Sequence, residues 1–286
     1  MSNVVLAFNN RADSAVLSGG SWTTGLPLGN LKTRILNQPA RSANALEAST
    51  QFSVTFPTAF RVNALSLSKH NLDADATWRI RAFSDSGFST ETYSSGGFEK
   101  VWQPYTGEGD EAWESTSFWD GRVTYEDAKG YIWHAIKIIA GNIESRYWKI
   151  EIINPTNPAG YIEIGRLFMA AAWSPKYNFS YGASIQFEDR SEVEESADGT
   201  EHYLRKTPYR IIRMSLDFLT TDEAMRGVLD LQRTMGVTGE VLVVWDPSEI
   251  EHRVRRSFLG RLRQLSAIEH PYFESHKAQF EIKELL

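Results

Sequence analysis

The chain contains no cysteine in its 286 residues. That excludes a disulfide framework, a thiolate zinc site and a cysteine nucleophile. No apolar run reaches the roughly 20 residues that a membrane helix needs. The opening Met1-Ser2-Asn3-Val4-Val5-Leu6 lacks the basic start and apolar core of a secretory signal, so cytoplasmic synthesis without secretion is expected. The signatures of nucleotide binding and serine-hydrolase chemistry, GxGxxG after a strand, GxxxxGK[ST] and GxSxG, are missing. Positive charge is also in deficit. With 30 Lys and Arg against 36 Asp and Glu, the net charge is -6, which argues against a nucleic-acid surface.

What is present is the composition of a soluble globular protein, 42% hydrophobic and 23% charged. Aromatic residues stand out, with 9 Trp, 11 Tyr and 15 Phe able to supply core mass or stacking surfaces. Segment Arg146 to Ala172 organises the first half. Trp148, Ile150 and Ile152 alternate with Lys149 and Glu151, and Tyr161 to Phe168 repeats the pattern beyond an Asn-Pro-Gly loop. These read as neighbouring strands of a β-sandwich. Gln51–Pro57, Phe60–Leu67 and Thr77–Phe83 read as further strands of the same body. Between about 94 and 142 lies an excursion carrying Trp102, Tyr105, Trp113, Trp119, Tyr131 and Trp133. Its aromatics either pack on the sandwich or form an exposed stacking platform.

After Trp173-Ser174-Pro175 the pattern changes. Residues 1–173 therefore read as one β domain and 174–286 as a β-rich α+β domain. Ser184–Ser196 and Glu201–Leu219 flank Asp198-Gly199, a hairpin signal, and the second run is long enough to require a bulge. Thr220 and Glu223 form a capping box for a helix over about 221–235, with Gly236 as its C-cap. Strands follow at Val241–Trp245, near Arg253–Gly260 and at Ala278–Leu285.

The succession Asn30-Leu31, Arg41-Ser42, Phe52-Ser-Val-Thr-Phe, Val62-Asn-Ala-Leu-Ser-Leu, His70-Asn71-Leu72, Trp78-Arg-Ile-Arg, Arg146-Tyr-Trp-Lys and Ile162-Glu-Ile-Gly-Arg-Leu resembles the discoidin, or galactose-binding-like, jelly roll, in the divergent form found in tailed-phage virion proteins. Ala40 stands where many relatives place a Trp. The long hairpin, helix and final strand Gln279-Phe-Glu-Ile-Lys-Glu-Leu-Leu resemble the ring-forming domain of siphophage distal-tail and baseplate proteins.

These resemblances imply a structural tail-tip component of a virion rather than an enzyme. Its expected partners are tail-tube, hub and tape-measure proteins, further copies of itself and host-surface polysaccharide. The alternative is a free carbohydrate-binding protein or an accessory module of a polysaccharide-active system. Candidate glycan contacts are Trp22, Arg41, His70, Asn71, Trp102, Tyr105, Trp113 and Trp119. The alternation of Arg253 and Arg255 about Val254, with Arg256, reads as one face of a strand that meets Glu192, Glu194 and Glu195 of a neighbouring subunit. No cofactor is expected. Nor is a metal: the six histidines include no HExxH, and His270, Glu274 and His276 show no converging ligand set.

Overall fold

A computed structural model describes residues 2–102, 113–114, 121, 131–249 and 251–286. The chain is mainly β. Its strands in order are β1 (Val5–Phe8), β2 (Val16–Ser18), β3 (Ala40–Arg41), β4 (Phe52–His70), β5 (Thr77–Phe83), β6 (Glu91–Ser94), β7 (Glu99–Lys100), β8 (His134–Ile153) and β9 (Glu163–Ala170). The series continues with β10 (Ala172–Trp173), β11 (Ser184–Glu188), β12 (Glu192–Glu195), β13 (Glu201–Leu204), β14 (Tyr209–Leu219), β15 (Val241–Val244), β16 (Ser257–Leu262), β17 (Glu269–Tyr272) and β18 (Ser275–Glu284). One eight-stranded sheet runs β3-β9-β4-β8-β5-β6, with β2 and β7 pairing at its margins. A second runs β10-β1-β15-β16-β18-β14-β11, with β17 on β18, and β12–β13 forms a separate hairpin.

The alternation that marks Phe52, Val54 and Phe56 continues through a single strand of 19 residues. The expected break at Pro57 is a bulge, where the register against β8 shifts between Thr55 and Phe60. Residues 57–59 are exposed there, so Pro57 forfeits no buried ladder bond. β8 is equally long at 20 residues, so 134–142 belong to a sheet strand and not to the aromatic excursion. The two segments expected to be neighbours are not: β4 lies between β8 and β9. Both halves of β4 then supply one core, Phe52 and Val54 with Leu65 and Leu67, closed by Trp148, Ile150, Ile164 and Met169. Long strands that bend at bulges allow one sheet to wrap its own interior in this way.

The N-terminal strand also departs from expectation. β1 pairs with β15 and with β10, placing 5–8 and 172–173 in the second sheet. Val4 to Phe8 is apolar without alternation, which suits a strand covered on both faces. Val4 and Leu6 face the core of Ile212, Val228, Phe258 and Phe280. Val5 and Ala7 face Ala64, Phe168, Ala170, Leu242 and Leu259, a third core where the two sheets meet. Two buried ion clusters cross that junction. Arg166 on β9 meets Glu240 just before β15, and Arg210 on β14 meets Glu284 on β18, which also contacts His134 on β8.

The capping box forms as read: Glu223 N–H donates to Thr220 Oγ1 at 3.3 Å, and Thr220 N–H to Glu223 Oε2 at 2.9 Å. After an α start at 221–222 the helix widens into π-turns over Glu223–Leu229 and returns to α over Asp230–Met235. Wide turns bring Gly227 against Trp173, where an added Cβ would lie 2.7 Å from the indole. β14 carries the expected bulge, between Leu216 and Leu219. Arg253–Arg256 is a short helix, however, and the strand starts only at Ser257. The buried Arg210 guanidinium holds it there, donating to the carbonyls of Val254 at 2.7 Å and Arg255 at 3.1 Å.

Candidate functional site

In the first sheet, β3 pairs with β9 in the register Ala40 to Ile164 and Arg41 to Glu163. Period-two alternation sends Ala40 and Ile164 into the core, where both are fully buried, and leaves Arg41 opposite Glu163 on the outer face. Arg41 Nε donates to Glu163 Oε1 at 2.6 Å, and the guanidinium carbon lies 4.3 Å from the Tyr161 ring centroid. The hydrogen bond to Glu163 raises the Arg41 pKa above its ordinary value. Both charges are thus held on strands rather than on a mobile loop.

The end of β4 makes the adjacent wall. Lys69 has φ of 54°, a left-handed position for a residue other than glycine. Its ammonium reaches Asn37 Oδ1 in the loop before β3. Burial lowers the Lys69 pKa. Gly165 allows these pieces to close up, since a Cβ there would stand 2.9 Å from the Leu36 carbonyl oxygen and 3.2 Å from Lys69 Cβ. The result is a cleft of about 470 Å³ that Arg41, Glu163, Lys69 and Asn37 line with polar groups, beside Leu36 and Pro39.

His70 and Asn71 border the same cleft, so three of the eight expected glycan contacts come together there. Their side chains, though, are engaged inward. Asn71 Nδ2 donates to the Tyr161 carbonyl at 3.0 Å, and Asn71 Oδ1 accepts from the Glu163 N–H at 2.7 Å, which fixes the start of β9 and the residues leading into it. His70 Nδ1 accepts from the Leu72 N–H, leaving the ring proton on Nε2, and the ring meets Trp102 edge to face at 5.5 Å. Burial, and secondarily His134, lower the His70 pKa to about 3, so the ring is neutral.

Trp22 and Trp102 do not line the cleft. Trp22 donates to the Gly19 carbonyl and leans on Phe52, and Trp102 donates to the Leu72 carbonyl while packing on Trp133 at 4.4 Å. Trp113 is 71% exposed, and Tyr105 and Trp119 lie outside the described residues. Glu163, Lys69 and Asn37 are additions that sequence reading missed. Glu163 was open to inference as the outward member of Ile162-Glu163-Ile164; the others depend on a left-handed turn and a loop that no local pattern announces.

Glu192, Glu194 and Glu195 lie on the fully exposed strand β12, where Glu192 pairs with Lys206 of its own hairpin. The arginines expected opposite them sit on the helix Arg253–Arg256 with partners nearby. Arg253 donates to the Ile136 carbonyl, Arg255 contacts His252 Nδ1 and Arg256 pairs with Glu249. They do not form one strand face. Among the described residues, no three His, Asp or Glu side chains converge as a metal site.

No family model and no curated protein matches the chain. Solved structures do. CBM32-1 from a family 31 glycoside hydrolase of Clostridium perfringens aligns at 15% identity and a TM-score of 0.35, over 57% of this chain and 99% of that one. The family 32 CBM of C. perfringens NanJ in complex with galactose aligns at 13% and 0.37, over 58% and 99%. The CBM32 of AlyQ in complex with 4,5-unsaturated mannuronic acid aligns at 16% and 0.34, over 57% and 96%.

Proposed function

We propose that the chain is a non-catalytic saccharide-binding protein that takes its ligand in the cleft beside the β3–β9 ladder. The observation that carries this reading is the Arg41–Glu163 pair, a bidentate-capable donor and acceptor set side by side on paired strands. Neighbouring ring hydroxyls of a sugar present the matching acceptor and donor, and charged partners strengthen such bonds. Lys69 and Asn37 extend the polar edge, and Leu36 and Pro39 offer apolar contact to ring carbons. A glycan array probed with the full chain and with Arg41→Ala tests it. Loss on substitution of at least one class of glycan that the wild type binds is expected; identical array profiles would contradict the assignment.

A second reading, a structural tail-tip component of a virion with tail-tube, hub and tape-measure partners and copies of itself, is favoured by a separate observation. β11 ends its sheet with Ser184 to Phe187 exposed, including Ile185 and Phe187, and β12–β13 projects beyond it with every strand residue exposed. An uncovered edge of this kind is a template for strand pairing. Sedimentation velocity over a range of protein concentrations distinguishes the readings. A closed oligomer dissolved by Phe187→Lys supports assembly through this edge, and a monomer throughout counts against it.

A further inference from the structure

We infer that the second sheet carries a saccharide trough of its own, beside β15, selective for neutral pyranose chains. The trough has a volume of about 600 Å³ and is bordered by Phe179, Tyr181, Trp245, Asp246, Glu249 and Arg256. It shares no lining residue with the Arg41–Glu163 cleft.

Aromatic surface is the first element. Phe179 and Trp245, both half-buried, pack with ring centroids 4.4 Å apart, and Tyr181 stands fully exposed at the rim. Rings of this kind give apolar faces to the C–H side of a pyranose while anchoring little conformational freedom.

Uncommitted polar atoms are the second. Asp246 accepts from Ser2 N–H, Ser248 N–H and Ser248 Oγ, all at Oδ1, and its Oδ2 takes no hydrogen bond among the described residues. Arg256 uses Nη1 on Glu249, leaving Nε and Nη2 to donate, and the Trp245 indole N–H likewise has no acceptor among the described residues. A planar acceptor and a planar donor beside an aromatic floor match vicinal hydroxyls.

Charge selects among sugars. Glu249 is paired with Arg256 and Asp246 feels the N-terminal ammonium, so the trough has no excess positive charge to draw uronates or sulfated chains. Two carboxylates near aromatic rings could also attract a quaternary ammonium, but that ligand is held by a closed aromatic cage. Here Tyr181 projects into solvent.

The test uses the full chain carrying Arg41→Ala, which removes the first cleft from the measurement. Titration calorimetry with cellotriose, maltotriose and lactose is compared with tri-galacturonate and choline chloride. At least one neutral probe is expected to bind. Tyr181→Ala and Trp245→Phe, each with an unchanged melting temperature, are expected to weaken it about tenfold. Absence of binding by all neutral probes, preference for the acidic trimer or choline, or affinity within about twofold in both variants would overturn the inference. Because the first cleft is judged by wild type against Arg41→Ala, either site can fail without the other.

Discussion

Arg166 and Glu240 form an ion pair in which both side chains are almost wholly removed from solvent, Nη2 to Oε2 being 2.5 Å. One belongs to β9 of the first sheet and the other leads into β15 of the second. Asp13 adds a contact at 2.7 Å to the same Arg166 nitrogen. Such a pair is costly to break because the surviving Arg166 stays buried with only the partly exposed Asp13 carboxylate to compensate it. Glu240→Ala is expected to lower unfolding free energy by about 3–5 kcal/mol, while Arg166→Met with Glu240→Leu recovers most of the loss. Urea denaturation checks both, and a single cooperative transition is expected because the junction core is shared.

Gly165→Ala tests the approach that shapes the first cleft. The new Cβ meets the Leu36 backbone at 2.9 Å, which has no flexible end to yield. A loss of about 1–3 kcal/mol is expected from overpacking. Saccharide affinity should fall as well, because the Leu36–Asn37 wall must retreat. Melting temperature and calorimetric affinity are the two readouts.

Asn71 separates positioning from contact. Asn71→Ala removes partners from the Tyr161 carbonyl and the Glu163 N–H. Destabilisation of about 1–3 kcal/mol is expected if these groups are left unpaired. Asn71→Asp keeps the acceptor for Glu163 and should recover part of the loss. Denaturation midpoints of the two variants give the comparison.

Acid stability follows from the buried His134 and Glu284 and the half-buried His70. Burial holds His70 at about 3 and lowers the His134 pKa despite the opposing pull of Glu284. Burial raises the Glu284 pKa, but hydrogen bonds from His134 and Arg210 and the Arg210 charge outweigh it and bring the value to about 2. Well above pH 6.5 neither folded nor unfolded histidines bind protons. Below it the unfolded chain takes up protons that the native one refuses, so stability is lost as pH falls, by at most about 1.4 kcal/mol per pH unit for each histidine. Glu284 adds to the loss between its ordinary value of 4.5 and about 2. Urea midpoints at pH 7.5, 5.5 and 4.0 should decline in that order, and His134→Gln should flatten the first step.

Local signals carried well into the structure. The alternation of Trp78, Ile80 and Ala82 with Arg79 and Arg81 is borne out by a buried core face and an outer face where both arginines meet Glu151. Thr220 and Glu223 announced a helix start, and Asp198-Gly199 a turn. What escaped was non-local. Nothing near Val5 says that it pairs with Val244, and nothing near Glu163 says that β4 intervenes between its strand and β8. Arg253–Arg256 alternates like a strand, yet Arg210 captures its carbonyls from elsewhere in the chain. The candidate site was legible in the same measure: Arg41, His70 and Asn71 were found, but only Arg41 offers its charge outward, and its partner Glu163 lies 122 residues away.

The most direct measurement is isothermal titration of the full chain, wild type and Arg41→Ala and Glu163→Gln, with the saccharide selected by the array. Saturable binding that each substitution weakens by about tenfold or more, with melting temperatures unchanged, is the predicted result. Equal affinity in all three proteins would contradict the assignment of the β3–β9 cleft as the binding site.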